Sequence, residues 1–287
     1  MAQAVSIKIN RQHSPIGIFD SGIGGLSVAA AIADVLPREE LRYVADNAYA
    51  PYGPRPAAEI LERSRLITRH LLGQGAKMIV VACNTATSIA IDALREEFPD
   101  VPFVGLEPAV KPAAKAGRVG VLATAATLES PRYLELRRRY LSGWPVHENA
   151  CVGLVPLIEN EPPGSPVLRR KLHDILDSML ADGIDALVLG CTHYPIVRAD
   201  IAAVCGAGVD VIDPAPAAAR QVKRLLARHG LAFVPEETEP AKSALRTRGP
   251  AHTFLCTGSS FPLQRTLLAL PALNRNRKLV LPKMQLP

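Results

Sequence analysis

Short apolar runs of four or five residues alternate along this chain with longer stretches in which apolar residues recur every three or four positions. The runs predict strands at Ile16–Phe19, Leu41–Ala45, Met78–Ala82, Pro102–Gly105, Val119–Ala123, Ala186–Gly190, Val209–Ile212 and Thr253–Cys256. The longer stretches predict helices, among them Leu26–Leu36, Ala57–Leu72, Thr85–Phe98, Pro166–Leu180 and Ala215–Arg228. Strands alternating with helices make βαβ units around a parallel sheet, so the fold class is α/β. No apolar run reaches the roughly 18 residues of a membrane span. Met1 to Ser14 mixes Lys8, Asn10, Arg11 and His13 with short apolar pieces and reads as a lead-in to the first strand, not as an export signal.

The pattern also repeats at long range. Leu72-Gly73-Gln74-Gly75-Ala76-Lys77-Met78-Ile79-Val80-Val81-Ala82-Cys83 aligns without gaps on Leu180-Ala181-Asp182-Gly183-Ile184-Asp185-Ala186-Leu187-Val188-Leu189-Gly190-Cys191, 108 positions later. Each copy reads helix end, glycine, buried strand, small residue, cysteine. Ile16 to Ser21 likewise echoes Val119 to Thr124 at a distance of 103 positions, and both end a strand in a hydroxyl residue. The expectation is two similar three-layer α/β domains with mainly parallel sheets, related by pseudo-symmetry, with the active site in the cleft between them. The first domain is expected over 1–107 together with 215–287, the second over 108–214, with Glu107-Pro108 and Asp213-Pro214 as hinge points.

At 287 residues, 48% hydrophobic and 21% charged, the chain is long enough to bury two cores of this kind. A net charge of +6 is modest, and its two basic runs, Arg137-Arg138-Arg139 and Arg275-Asn276-Arg277-Lys278, read as solvated faces more than as nucleic-acid patches. Five cysteines, an odd number without a CxxC pair, argue against a disulfide framework or a zinc ribbon. Free thiols in a reducing cytoplasm are expected.

Ligands of open α/β sheets bind beyond the carboxyl ends of the strands, and Cys83 and Cys191 both follow directly on predicted strand ends. Asn84-Thr85 and Thr192-His193 come next, where backbone N–H groups at the start of a helix or turn favour an anionic ligand such as a carboxylate. Taken singly, Cys151, Cys205 and Cys256 read as small buried hydrophobes. The symmetric pair suits removing a proton from one face of a carbon and returning one on the other, which inverts a stereocentre. A thiol near its ordinary pKa of about 8.5 can serve as acid or base.

The turn Asp20-Ser21-Gly22-Ile23-Gly24-Gly25 is not a dinucleotide fingerprint, because Ser27 stands where the last glycine is needed. Its glycines allow close approach of a ligand to the backbone. Asp20 reads equally as a helix cap or as a thiol's assistant. His193 reads as a proton relay to Cys191 or as a structural histidine. The Cys191-Thr192-His193 step has no second ligand pair at metal-site spacing, and no lysine lies in a pyridoxal phosphate motif, so no metal and no cofactor are expected.

The segments Phe19-Asp20-Ser21-Gly22-Ile23-Gly24-Gly25-Leu26, Asp46-Asn47-Ala48-Tyr49-Ala50-Pro51-Tyr52-Gly53, Ala82-Cys83-Asn84-Thr85-Ala86-Thr87 and Gly190-Cys191-Thr192-His193-Tyr194-Pro195 together resemble glutamate racemase. The resemblance implies cofactor-free, metal-free interconversion of L- and D-glutamate, supplying D-glutamate for peptidoglycan. It implies that Cys83 acts on the α-proton of one enantiomer, assisted by Asp20. Cys191 acts on the other, assisted by His193 and by Glu159, which on its own reads as an ordinary surface acid. It further implies substrate contacts from Asp20, Ser21, Tyr52, Gly53, Asn84, Thr85, Thr124, Thr127, Thr192 and His193. A homodimer is the expected assembly, and some members of the family bind DNA gyrase. Ala125 stands where many members have glycine, and Pro214 where serine is commoner. The alternatives are an aspartate racemase or arylmalonate decarboxylase of the same architecture, or a non-enzymatic amino-acid-binding module. A decarboxylase needs only one donor thiol.

Overall fold

The computed structural model describes residues 11–235 and 250–274, with the backbone of Arg277 and Lys278. The first ten residues of the lead-in, residues 236–249, Arg275 and Asn276, and the last nine residues lie outside this description. The strands are β1 (Ile16–Asp20), β2 (Leu41–Ala45), β3 (Met78–Val81), β4 (Phe103–Gly105), β5 (Val119–Ala123), β6 (Val146–Asn149), β7 (Ala186–Gly190), β8 (Asp210–Ile212), β9 (His252–Cys256) and β10 (Arg277–Lys278). Six form one sheet in the order β10-β9-β2-β1-β3-β4, and four form another in the order β6-β5-β7-β8. Every pairing is parallel.

The α-helices are α1 (Leu26–Val35), α2 (Ala57–Gly73), α3 (Asn84–Glu97), α4 (Val110–Ala113), α5 (Ala125–Leu128) and α6 (Pro131–Leu141). They continue with α7 (Leu154–Asn160), α8 (Pro166–Ala181), α9 (Arg198–Cys205), α10 (Ala215–Arg228), α11 (Phe261–Leu268) and α12 (Pro271–Asn274). The expected strands and helices are all present, with ends that move by a residue or so. β6, which the apolar pattern did not announce, is the one added strand that completes the second sheet.

The internal echo is carried into the topology. The order β2-β1-β3-β4 in one sheet matches β6-β5-β7-β8 in the other, and the register agrees: Ile16 faces Met78 as Val119 faces Ala186. Alternation along each strand sends side chains to opposite faces. Met78, Val80 and Ala82 enter a core with α1, α10, α11 and α12, while Ile79, Val81 and Cys83 enter one with α2 and α3. In the second sheet Ala186 and Val188 pack toward α4 and α6, and Leu187, Leu189 and Cys191 toward α7, α8 and α9. Each sheet is therefore the middle of three layers, and the two cysteines have the same parity on equivalent strands. The chain after Ala215 rejoins the first sheet, with β9 beside β2 and α10 against α1.

The two departures from the family pattern fit their surroundings. Ala125 opens α5 without needing a positive φ, and Thr124 caps that helix by accepting from the Thr127 N–H. Asp213 accepts from the Ala215 N–H at 2.8 Å, so Pro214 sits inside a closed turn at the head of α10. Arg137 to Arg139 lie on α6 beside solvent, with Arg138 paired to Glu135 at 2.8 Å. Among the described residues no helix is long and apolar enough to cross a membrane.

Candidate active site

β1 and β3 are neighbours whose connections leave toward opposite sides of the sheet, and such a switch point opens a crevice at the strand tips. β5 and β7 do the same in the second sheet. The four tips carry Ser21, Cys83, Thr124 and Cys191, and these line one small cavity of about 20 Å³ together with Tyr52, Gly53, Asn84, Thr85, Val155, Thr192 and His193. Asp20, Thr127 and Glu159 stand behind this wall and bond to residues that form it.

Cys83 is buried and caps α3. Its sulfur accepts from the Ala86 N–H at 3.5 Å and donates to the Ser21 hydroxyl at 3.7 Å. Burial pushes this thiol up to about 12, and the nearby Asp20 carboxylate adds to the effect. Cys191, also buried, follows β7 and lies 4.0 Å from His193 Nδ1. His193 Nε2 is 2.8 Å from Glu159 Oε1 on the last turn of α7. Burial pulls the imidazole down, but its contacts with Cys191 and Glu159 outweigh this and raise it to about 10. At neutral pH His193 is therefore an imidazolium beside one of the two thiols.

Asp20 is fully buried at the tip of β1. Its carboxylate accepts from the Gly22 N–H at 2.7 Å and from the Thr192 hydroxyl of the opposite unit at 3.0 Å. Burial raises its pKa, against the pull of His193. The glycine turn after it packs on protein rather than on a ligand: a Cβ at Gly24 would sit 2.6 Å from Thr192 Oγ1 and 2.8 Å from His193 N. On the other side of the cavity Thr85 Oγ1 meets Thr124 Oγ1 at 2.9 Å, and Thr127 backs Thr124 at 3.1 Å. Each cysteine is thus followed by a threonine step that bonds the strand tip of the other unit.

Asn84 donates from Nδ2 to the Leu106 carbonyl at 3.2 Å, which fixes the amide and leaves buried Oδ1 without a partner among the described residues. Tyr52 gives the cavity its ring, because its hydroxyl is committed to Asp46 Oδ2 at 2.6 Å. Asp46 is also gripped by Arg63 at 2.8 and 3.0 Å and by the Thr257 hydroxyl at 2.8 Å. The sequence reading did not single out this support. Its one signal was that Asp46 opens the segment ending in Tyr52-Gly53. Among the described residues no cluster of three His, Cys, Asp or Glu side chains could hold a metal ion.

The sequence profile of the Asp/Glu/Hydantoin racemase family matches residues 26–222. The chain belongs to this family. A glutamate racemase of Ectopseudomonas mendocina is 47% identical over 238 residues, 82% of this chain and 89% of that protein. Among solved structures, glutamate racemase from Francisella tularensis in complex with D-glutamate superposes with a TM-score of 0.78 at 29% identity, covering 96% of this chain and 98% of that one. The Escherichia coli glutamate racemase in complex with L-glutamate and the activator UDP-MurNAc-Ala gives a TM-score of 0.76 at 32% identity, covering 92% of this chain and 97% of that one. The matched length takes in both sheets.

Proposed function

We propose that this protein is a glutamate racemase, an isomerase that interconverts L- and D-glutamate through Cys83 and Cys191. The observation that carries the reading is the placement of two buried thiols at equivalent strand ends, facing one cavity lined by hydrogen-bonding groups. The relatives that share most of the chain length are glutamate racemases, which supports glutamate over other amino acids.

In each turnover one sulfur, as thiolate, takes the α-proton: the Cα–H bond breaks, an S–H bond forms and the electron pair stays on the substrate carbon. The thiol on the opposite face then delivers its proton to that carbon, leaving its own sulfur ionised. Burial favours the protonated form of Cys83, and the His193 imidazolium offsets the negative charge that forms on Cys191 when that sulfur gives up its proton during turnover. Asp20 and Glu159 hold Thr192 and His193 in place, Asp20 also tuning Cys83. Asn84 Oδ1 accepts from the substrate ammonium, while N–H and hydroxyl donors at Ser21, Gly53, Thr85, Thr124 and Thr192 take the two carboxylates, with Thr127 bracing Thr124.

The chain divides into domains over 1–107 with 215–287 and over 108–214. Sheet membership supports this, since β5 to β8 form the second sheet and all other strands the first. The protein acts in the cytoplasm, supplying D-glutamate for peptidoglycan. A homodimer and a contact with DNA gyrase rest on the family resemblance alone.

The test is a circular-dichroism assay on each enantiomer of glutamate without added cofactor, in deuterated solvent. Inversion with deuterium entering the α-position is expected, and Cys83→Ser and Cys191→Ser each abolish it while substrate still binds. Near-normal turnover in either variant rejects the two-thiol scheme, and much faster inversion of aspartate rejects the substrate.

A further inference from the structure

Cys83 and Cys191 occupy equivalent positions, yet their sulfur atoms are served differently. After Cys83 the chain enters α3, and Ala86 turns its N–H onto the sulfur at 3.5 Å. The residue 108 positions later is Tyr194. Its N–H is taken instead by the Cys191 carbonyl at 3.2 Å, at the head of the 3-10 turn Tyr194–Val197. The next residue, Pro195, has no N–H to offer. The helix-terminus donor that serves Cys83 is therefore missing at Cys191.

The Tyr194 side chain packs in the cluster that holds the Cys191 sulfur. It is fully buried in the same apolar cluster as Cys151 and Cys191. Its hydroxyl has no partner of normal hydrogen-bond geometry among the described residues, and the polar groups within interaction range are the thiols of Cys191 and Cys151. Buried tyrosine hydroxyls ordinarily have a partner, so this one is poised between two weak acceptors. Cys151 is itself held in place: its N–H donates to Asn149 Oδ1 at 2.8 Å, and its thiol donates to the Asn149 carbonyl at 3.4 Å. Burial pushes the Cys151 thiol up to about 12, so it stays neutral and its sulfur remains open as an acceptor.

We propose that Tyr194 is a positioning residue for Cys191, its hydroxyl resting on the neutral Cys151 sulfur while Cys191 holds its proton and swinging onto the Cys191 sulfur when that atom ionises. No proton or electron changes hands in this step; one O–H bond rotates. The drive is that a hydrogen bond to an ionised acceptor is about twice as strong as one to a neutral acceptor. A side chain thus does at Cys191 what the Ala86 N–H does at Cys83. The other groups that bear on Cys191 are His193 in the same turn and Cys83 across the cavity, with Asp20 and Glu159 beyond His193; Lys171 on α8 bears on Cys151. None of these changes in the variants below.

The inference rests on Cys191 being one of two proton-exchanging thiols, and its test is separable from that reading. The pH dependence of iodoacetamide alkylation at Cys191 is followed by peptide mass mapping in the full-length protein, with Cys83 as internal reference. Tyr194→Phe is expected to move the Cys191 midpoint up by about one pH unit, to leave that of Cys83 in place and to lower kcat/KM about tenfold near neutral pH. Cys151→Ala removes the resting acceptor and is expected to move the Cys191 midpoint down. An unchanged Cys191 midpoint in Tyr194→Phe, or a joint movement of both cysteines, overturns the proposal. If Tyr194→Phe does not fold, Cys151→Ala decides alone, and no downward movement overturns it. Failure of the two-thiol reading would show instead as racemisation surviving Cys191→Ser.

Discussion

Replacing Asp46 by alanine strikes the support beneath the cavity wall while leaving every lining residue itself unchanged. The carboxylate is fully buried and accepts at once from Tyr52, Thr257 and both Nε and Nη2 of Arg63, whose side chain is only 8% exposed. Removing one partner of a buried ion pair costs about 3–5 kcal/mol, because the other charge is left uncompensated. The lower end applies here, since Arg63 keeps its contact with the Tyr49 ring, 3.9 Å from the centroid. About 3 kcal/mol in a chain of this size corresponds to a fall of roughly 6–12 °C in Tm. Thermal unfolding followed by far-ultraviolet circular dichroism measures it, and kcat/KM falls as well because the Tyr52-Gly53 segment loses its anchor. The double variant Asp46→Ala/Arg63→Met is expected to lose less than the sum of the single losses, by about 1 kcal/mol or more. A fall of under about 3 °C would put the pair in the class of solvated surface bridges, worth about 0–1 kcal/mol, and refute the reasoning.

Three further outcomes follow from the same geometry. Burial holds His252 down at about 4, and its Nδ1 accepts from the Leu41 N–H, which requires the neutral ring. The unfolded chain takes up that proton below about 6.5, so stability is complete above that pH and falls by about 3 kcal/mol as pH drops toward 4. Urea unfolding across this window checks it, and His252→Asn should flatten the slope. Gly24→Ala would set a methyl 2.7 Å from the Thr192 carbonyl carbon and 2.8 Å from His193 N, backbone atoms that no rotamer change can move aside. It is expected to lower kcat/KM about 100-fold with little change in KM-independent fold signatures such as near-ultraviolet dichroism. Glu159→Gln withdraws one of the contacts that raise His193, so the alkaline limb of the kcat/KM profile should move down by about one pH unit; an unmoved limb would separate Glu159 from His193 function.

The cysteines and strand tips were legible because a buried parallel strand must be nearly all apolar, and the echo between the Cys83 and Cys191 segments repeats that signal in register. β6 was not legible, since Val146-His147-Glu148-Asn149 forms an edge with no fully buried residue and an edge strand has no need of an apolar run. α4, α5 and α7 are four to seven residues long, too short to show a helical period. α6 buries only Tyr133 and Leu141, so its arginines hid the helix behind a charged run. The glycine turn was read as room for a ligand, and the room is taken by Thr192 and His193 from the other unit. Asp46 meets Thr257 across 211 positions, and Tyr194 shares an apolar cluster with Cys151 from another loop; contacts of that span leave no periodic trace in one sequence.

One consequence of the unlike settings of the two cysteines concerns mirror images. L- and D-glutamate in water have identical free energies, so the equilibrium constant is unity, and no arrangement of charges around either sulfur can make one direction more efficient in kcat/KM than the other. The helix that Cys83 caps and the imidazolium beside Cys191 can differ in effect only at saturation, where whichever enantiomer is held more tightly must also be turned over more slowly.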